Sequence, residues 1–169
     1  LSSSKIISRD KMEFRYGKVE ARVKTINGQG FWPAFWMLPS GGSWPCDGEI
    51  DIMEQWGSDY PTNSTTGAAH IGSCPGPSSY NSFNHYSTNG NYADDFHIYS
   101  VIWQENYIAW YVDGVKVHSI SPSSYSSIPT QHSWPFNSNE WYLIINLAVD
   151  HNGPNGNTQF PSSIEVDYI

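Results

Sequence analysis

In the stretch YGKVEARVKT, residues 16–25, apolar and polar side chains alternate one for one. Val19, Ala21 and Val23 fall on one side, and Lys18, Glu20, Arg22 and Lys24 on the other. A helix, turning about 100° per residue, would scatter these side chains around its axis, whereas a pleated strand sorts them onto two faces. One face is therefore apolar and the other meets water. No window of the chain shows a comparable helical period. Short β-rich runs recur instead: KIISRD, MEFRYGKVEARVKT, FWPAFWML, EIDIMEQ, TGAAHIG, FHIYSVIWQ, YIAWYVDGVKVHSI, WYLIINLAV and SIEVDYI. Asp113-Gly114 stands between two alternating runs and suits a tight primed turn of a hairpin. WYLIINLAV is apolar on both faces, as a central strand is. Residues 72–94 and 150–160, rich in Gly, Asn, Ser and Pro, read as surface loops. SPSSYSSIP has room for one helical turn. Many short strands separated by turn signals predict an antiparallel sandwich or barrel, and 169 residues suffice for one domain with a sizeable core.

The formal net charge is −8 although only 14% of residues are charged. That balance argues against nucleic acid and against an anionic membrane surface, both of which call for Lys and Arg, and suits a neutral substrate. Aromatic residues make up 15% of the chain, with 8 Trp and 11 Tyr. They serve either a large aromatic core or a cleft that stacks on sugar rings. Cys46 and Cys74 have no metal-ligand spacing. They are one disulfide of an exported protein or two thiols; export, an extracellular location, is the favoured reading. With no signal peptide or membrane-length apolar run in it, the chain is mature or its export signal lies outside it.

One apolar run carries acids: DGEIDIMEQWG, residues 47–57. Strand alternation puts Glu49 and Asp51 on one face but sends Glu54 to the other, toward the core, where a charged carboxylate is costly. A β-bulge around Ile52-Met53 resolves the conflict, because one extra residue re-phases the strand and brings Glu54 beside the other two acids. Three neighbouring carboxylates repel one another. Glycoside hydrolysis needs such a set, with one carboxyl protonated and one ionised across the scissile bond. Asp51 between the two Glu residues would hydrogen-bond one and raise the pKa of the other. The bland alternative is an exposed acidic face or a calcium site.

GEIDIMEQ matches the Glu-x-Asp-x-x-Glu pattern of glycoside hydrolase family 16, and the chain resembles its laminarinase-like endo-β-1,3-glucanases. GQGFWPAFWML, YGKVEARVK, DDFHIYSVIW, WYVDG, LIINLAV and VDYI resemble that family too, in the same order. The resemblance implies an all-β jelly-roll sandwich of two antiparallel sheets with a concave substrate cleft. It implies Glu49 as nucleophile, Glu54 as general acid/base and Asp51 as the assisting carboxylate. It further implies that Trp32 and Trp36 are aromatic platforms; alternation independently puts them on one face. His70 matches a histidine near the catalytic strand, and Lys5 stands where relatives often have a substrate-contacting Arg. Trp103, Trp134 and Asn146 lie in matching segments and are expected to line the cleft. Asp167 matches a ligand of a structural Ca²⁺; no cofactor is needed for the chemistry.

Residues 1–169 read as a single catalytic domain, apparently incomplete. LSSSKIIS resembles a middle strand and VDYI a strand that relatives continue, so the resemblance implies a sandwich with strands missing, which a second chain could supply. The implied function is retaining endo-hydrolysis of β-1,3-glucans such as laminarin. Mixed-linkage β-1,3-1,4-glucanase and transglycosylase activity stand as alternatives, as does a non-catalytic β-glucan-binding module.

Overall fold

The computed structural model describes residues 2–57, 61–125 and 134–169. Among them are the strands β1 (Ser4–Ile7), β2 (Gly17–Lys24), β3 (Phe31–Pro39), β4 (Glu49–Glu54), β5 (Ser64–Gly72) and β6 (Ser78–Tyr86). There follow β7 (His97–Gln104), β8 (Tyr107–Val112), β9 (Val115–Ile120), β10 (Trp141–Val149) and β11 (Glu165–Tyr168). The strands form a six-stranded sheet, in order β1-β10-β3-β4-β5-β6, and a five-stranded sheet, in order β11-β2-β7-β8-β9. Every pairing is antiparallel. The described residues include no α-helix. This is the all-β sandwich expected from the alternation.

The core lies between the two sheets. Val19, Ala21 and Val23 of β2 are buried in it with Tyr99, Val101 and Trp103 of β7 and Ile108 and Trp110 of β8. From the six-stranded sheet come Phe35, Met37, Ile50, Ile52, Met53, Ile71, Leu143 and Ile145. β10 lies between β1 and β3, a central strand as its two apolar faces predict. The Asp113-Gly114 hairpin joins β8 to β9 with both φ angles positive, 49° and 77°. That is the pair of left-handed residues that a two-residue primed turn requires.

Two local expectations need correction. Pairing in the second run begins at Gly17, not at Met12. Tyr16 and Gly17 have φ of 67° and 126°, which breaks the extended backbone, and the backbone of Phe14 pairs through an isolated bridge to Trp141. Residues 72–94 are not all loop, since β6 occupies their middle. It is an edge strand rich in Ser and Asn, so it lacks the apolar contrast by which a strand is read. Of SPSSYSSIP, Pro122–Ser124 forms a single 3-10 turn, and residues 126–129 lie outside the described residues. Residues 150–160 form a loop as expected.

Cys46 and Cys74 are disulfide-bonded. The bridge ties the turn before β4 to the segment after β5. On the other flank, an apolar groove of about 740 Å³ runs beside β1 and is lined by Ile6, Phe31, Leu147, Phe160 and Val166. Ile6 is 71% exposed there.

Candidate active site

The outer face of the six-stranded sheet carries the candidate residues, and its register explains how. Cross-strand partners share a face. One row runs Lys5, Asn146, Ala34, Glu54 and Thr66, each paired with the next. The next row runs Ile144, Trp36, Asp51 and Ala68. A third runs Glu49, His70 and Tyr80. Small residues at Ala34 and Ala68 leave room over the floor. The resulting cleft has a volume of about 380 Å³ and includes Lys5, Trp32, Trp36, Glu49, Asp51, Glu54 and Asn146 in its lining.

Glu54 reaches this face through the bulge. Opposite β3, Met53 pairs with Phe35 and Asp51 with Trp36, so Ile52 has no partner. Opposite β5, Asp51 pairs with Ala68 and Glu54 with Thr66, so three steps on β4 match two on β5. Ile52 and Met53 therefore both pack inward, at 2% and 0% exposure, and Glu54 rejoins the acids.

The polar contacts are short. Trp32 Nε1 donates to Glu54 Oε1 at 2.9 Å, and Trp36 Nε1 donates to Asn146 Oδ1 at 2.7 Å. His70 Nε2 lies 2.9 Å from Asp51 Oδ2 and 4.0 Å from Glu49 Oε1. The first separation is an ion-pair distance without the alignment of a good hydrogen bond, so it counts as electrostatic contact.

Crowded carboxyls hold their protons. Burial, then the charge of Asp51, raises the pKa of Glu49 to about 8, while His70 and a hydrogen bond from Trp44 pull the other way. Burial raises Glu54 to about 7, against the opposing hydrogen bond from Trp32. Asp51 is raised as well, by burial and then by Glu54. The three exchange protons as a unit, so the cluster offers both a protonated and an ionised carboxyl near neutral pH. Replacing Trp32 by Phe removes a donor that favours ionised Glu54. The Glu54 carboxyl should then titrate at higher pH, read by ¹³C NMR; an unmoved titration would strike that bond from this account.

Eight of the residues singled out in the sequence thus meet at one place: Lys5, Trp32, Trp36, Glu49, Asp51, Glu54, His70 and Asn146. Three do not. Trp103 is fully buried, packs against Trp141 and donates to the Phe136 carbonyl at 3.0 Å. It follows Tyr99 and Val101 on the inward side of β7, and that side faces the core rather than the cleft. Trp134 is also core, 4% exposed, with its ring edge-on to Tyr125 and Phe136. Asp167 pairs with Arg22, Nη1 to Oδ2, at 2.8 Å. Among the described residues the only group of three or more His, Cys, Asp and Glu side chains close enough to share an ion is Glu49, Asp51 and His70, and Asp167 is not part of it.

The structure adds residues that the sequence reading missed. Trp56 stacks on Trp32, with ring centroids 3.9 Å apart at 28°. It lies two positions beyond Glu54, so alternation resumed after the bulge was a usable signal. Trp44, 56% exposed, lies in an irregular loop where no period could mark it. Tyr80 on β6 packs near His70, with centroids 5.5 Å apart.

Clustered carboxyls on the aromatic floor of an open β-sandwich cleft define the glycoside-hydrolase class of site. The family model "Glycosyl hydrolases family 16" matches residues 1–160, and the chain belongs to that family. It is 39% identical to the glucan endo-1,3-beta-glucosidase A1 of Niallia circulans, across 99% of this chain and 26% of that protein. It is 36% identical to a beta-1,3-glucan-binding protein of Penaeus monodon, across 97% of this chain and 50% of that one. The chain therefore spans between a quarter and a half of these relatives. Among solved structures, the laminarinase catalytic domain of Thermotoga maritima superposes with a TM-score of 0.83 at 34% identity, covering 96% of this chain and 66% of that one.

Proposed function

We propose that this domain hydrolyses internal β-1,3-glucosidic bonds of β-glucans such as laminarin, with retention, and acts outside the cell. One observation carries the reading: the β4 bulge puts Glu49, Asp51 and Glu54 on one face of an aromatic-lined cleft. In the first step a Glu49 carboxylate oxygen attacks the anomeric carbon. The glycosidic C–O bond breaks, and Glu54 gives its proton to the departing sugar oxygen. In the second step Glu54 takes a proton from water, the water oxygen attacks the same carbon, and Glu49 leaves. Trp32 and Trp36 offer ring faces to glucosyl units, and Lys5 and Asn146 offer polar contacts.

Burial raises both Glu49 and Glu54, so either carboxyl can hold a proton near neutral pH. Because the carboxyls titrate as one unit, a bound sugar that meets each differently sets the roles. The disulfide supports export.

Incubation with laminarin, followed by ¹H NMR of the first products, tests the reading. New reducing ends should appear as the β-anomer and mutarotate later; initial α-anomer would overturn retention. A second reading, glucan binding without turnover, is favoured by the Penaeus monodon relative. It predicts retention on a laminarin column with no reducing ends released.

A further inference from the structure

We propose that Trp110 is a positioning residue for the catalytic strand: its indole N–H, reaching across the sandwich from β8, holds the bulge that aims Glu54 beside Glu49. Trp110 Nε1 donates to the backbone carbonyl of Asp51 at 2.8 Å. That carbonyl lies at the N-terminal side of the extra residue in β4. In a regular central strand a carbonyl lies in the plane of the sheet and bonds a neighbouring strand. This one accepts a donor from the opposite sheet, so the bulge has tilted it into the core. There a carbonyl without a partner is costly, and the indole removes that cost only for the bulged conformation.

The surroundings fix both partners. Trp110 is fully buried, and Phe83 meets it edge-on at 6.0 Å. On β5, a Cβ at Gly67 would stand 2.8 Å from the same Asp51 oxygen and 2.7 Å from a Phe83 ring carbon. Glycine at 67 thus leaves the space the tilted carbonyl needs. At the other end of the bulge, Thr65 Oγ1 donates to the Glu54 carbonyl at 3.2 Å. Both carbonyls that flank the irregularity are held by side chains, one from each sheet.

The test pairs two substitutions. Trp110→Phe and Trp103→Phe each remove an equal part of a fully buried indole and one buried N–H···O=C bond, but Trp103 donates to the Phe136 carbonyl and not to a carbonyl of β4. Compared per folded molecule, Trp110→Phe should lower kcat on laminarin by roughly 10- to 100-fold relative to Trp103→Phe, the scale of a small misplacement of reacting groups. KM should change little. ¹³C NMR titration of the Glu49 and Glu54 carboxyls should move in Trp110→Phe and stay put in Trp103→Phe. The kinetic arm rests on the glucanase reading; the titration arm does not. A chain that cleaves no glucan but whose carboxyls move only with Trp110→Phe refutes that reading and keeps this one. Equal kcat and equal titrations in the two variants would overturn the proposal. If Trp110→Phe fails to fold, Gly67→Ala crowds the same carbonyl from β5. Displaced carboxyl titrations in it support the proposal, and a folded Gly67→Ala protein with wild-type titrations and kcat overturns it.

Discussion

With Glu49 replaced by Ala and azide supplied, an activated aryl β-laminari-oligosaccharide should be converted to the α-glycosyl azide. With Glu54 replaced by Ala, the same mixture should yield the β-glycosyl azide. The difference follows from where each carboxyl stands in the two displacements. Without Glu49, azide occupies the nucleophile's side and displaces the leaving group once, inverting the anomeric carbon. Without Glu54, the activated leaving group departs unaided and Glu49 still forms the α-linked glycosyl-enzyme. Azide, which needs no general base, then attacks from the β side. Without azide, both variants should lose roughly 10³-fold or more of the activity on laminarin, in the range of losing a positioned acid/base or a nucleophile. The same anomer from both variants, or the two anomers exchanged, would overturn the assignment. This experiment decides the roles of Glu49 and Glu54 independently of their titration order.

The second large effect is on stability. Glu49 and Glu54 have folded-state pKa values raised to about 8 and about 7, chiefly by burial. Between the ordinary carboxyl range and those values, the folded protein holds protons that the unfolded chain has released. Stability therefore falls as pH rises through that window, and is fully present only below it. Glu49→Gln removes the titrating group while keeping its shape. Each pH unit of separation corresponds to about 1.4 kcal/mol, shared among the coupled acids. Near pH 8, Glu49→Gln should thus be more stable than the wild type by on the order of 2 kcal/mol, a rise in Tm of roughly 4–8 °C. Near pH 4.5 the two should melt together. Parallel Tm curves across this range, measured by calorimetry, would show that the carboxyl cluster does not load the fold. An inactive variant that is more stable than its parent is what a strained site predicts.

Much of this was legible in the sequence because two rules collided there. Apolar alternation marked EIDIMEQ as a strand, and the three-residue gap from Asp51 to Glu54 broke the alternation, so a bulge was the economical answer. The same alternation placed Trp32 and Trp36 on one face. It could not say which side of which sheet a face belongs to. Trp103 is as regularly spaced as Trp36, yet its sheet turns that side to the core. Trp134 joins the core from the start of a short 3-10 turn, where no strand period operates. β6 escaped notice for the opposite reason: its Ser, Asn and Tyr residues are polar or half-exposed on both faces. Asp167 was carried by resemblance alone; it sits at the register shift of β11, where its side chain pairs with Arg22.

Ile52, the residue of β4 without a partner on β3, also bears on how this strand tolerates changes in length. A one-residue deletion inside a paired strand turns every later side chain to the wrong face. At Ile52 it would not, because the sheet already leaves that residue out of register. Glu49, Asp51 and the third Glu would stand at strict alternation, still over the cleft. What would vanish is the tilted carbonyl of Asp51, and with it the acceptor for the indole of Trp110. Two strand lengths can therefore present the same three acids, and the residue that feels the difference lies in the other sheet. A shorter β4 should be compatible with an aromatic lacking a donor at position 110, such as Phe, whereas the longer one calls for Trp.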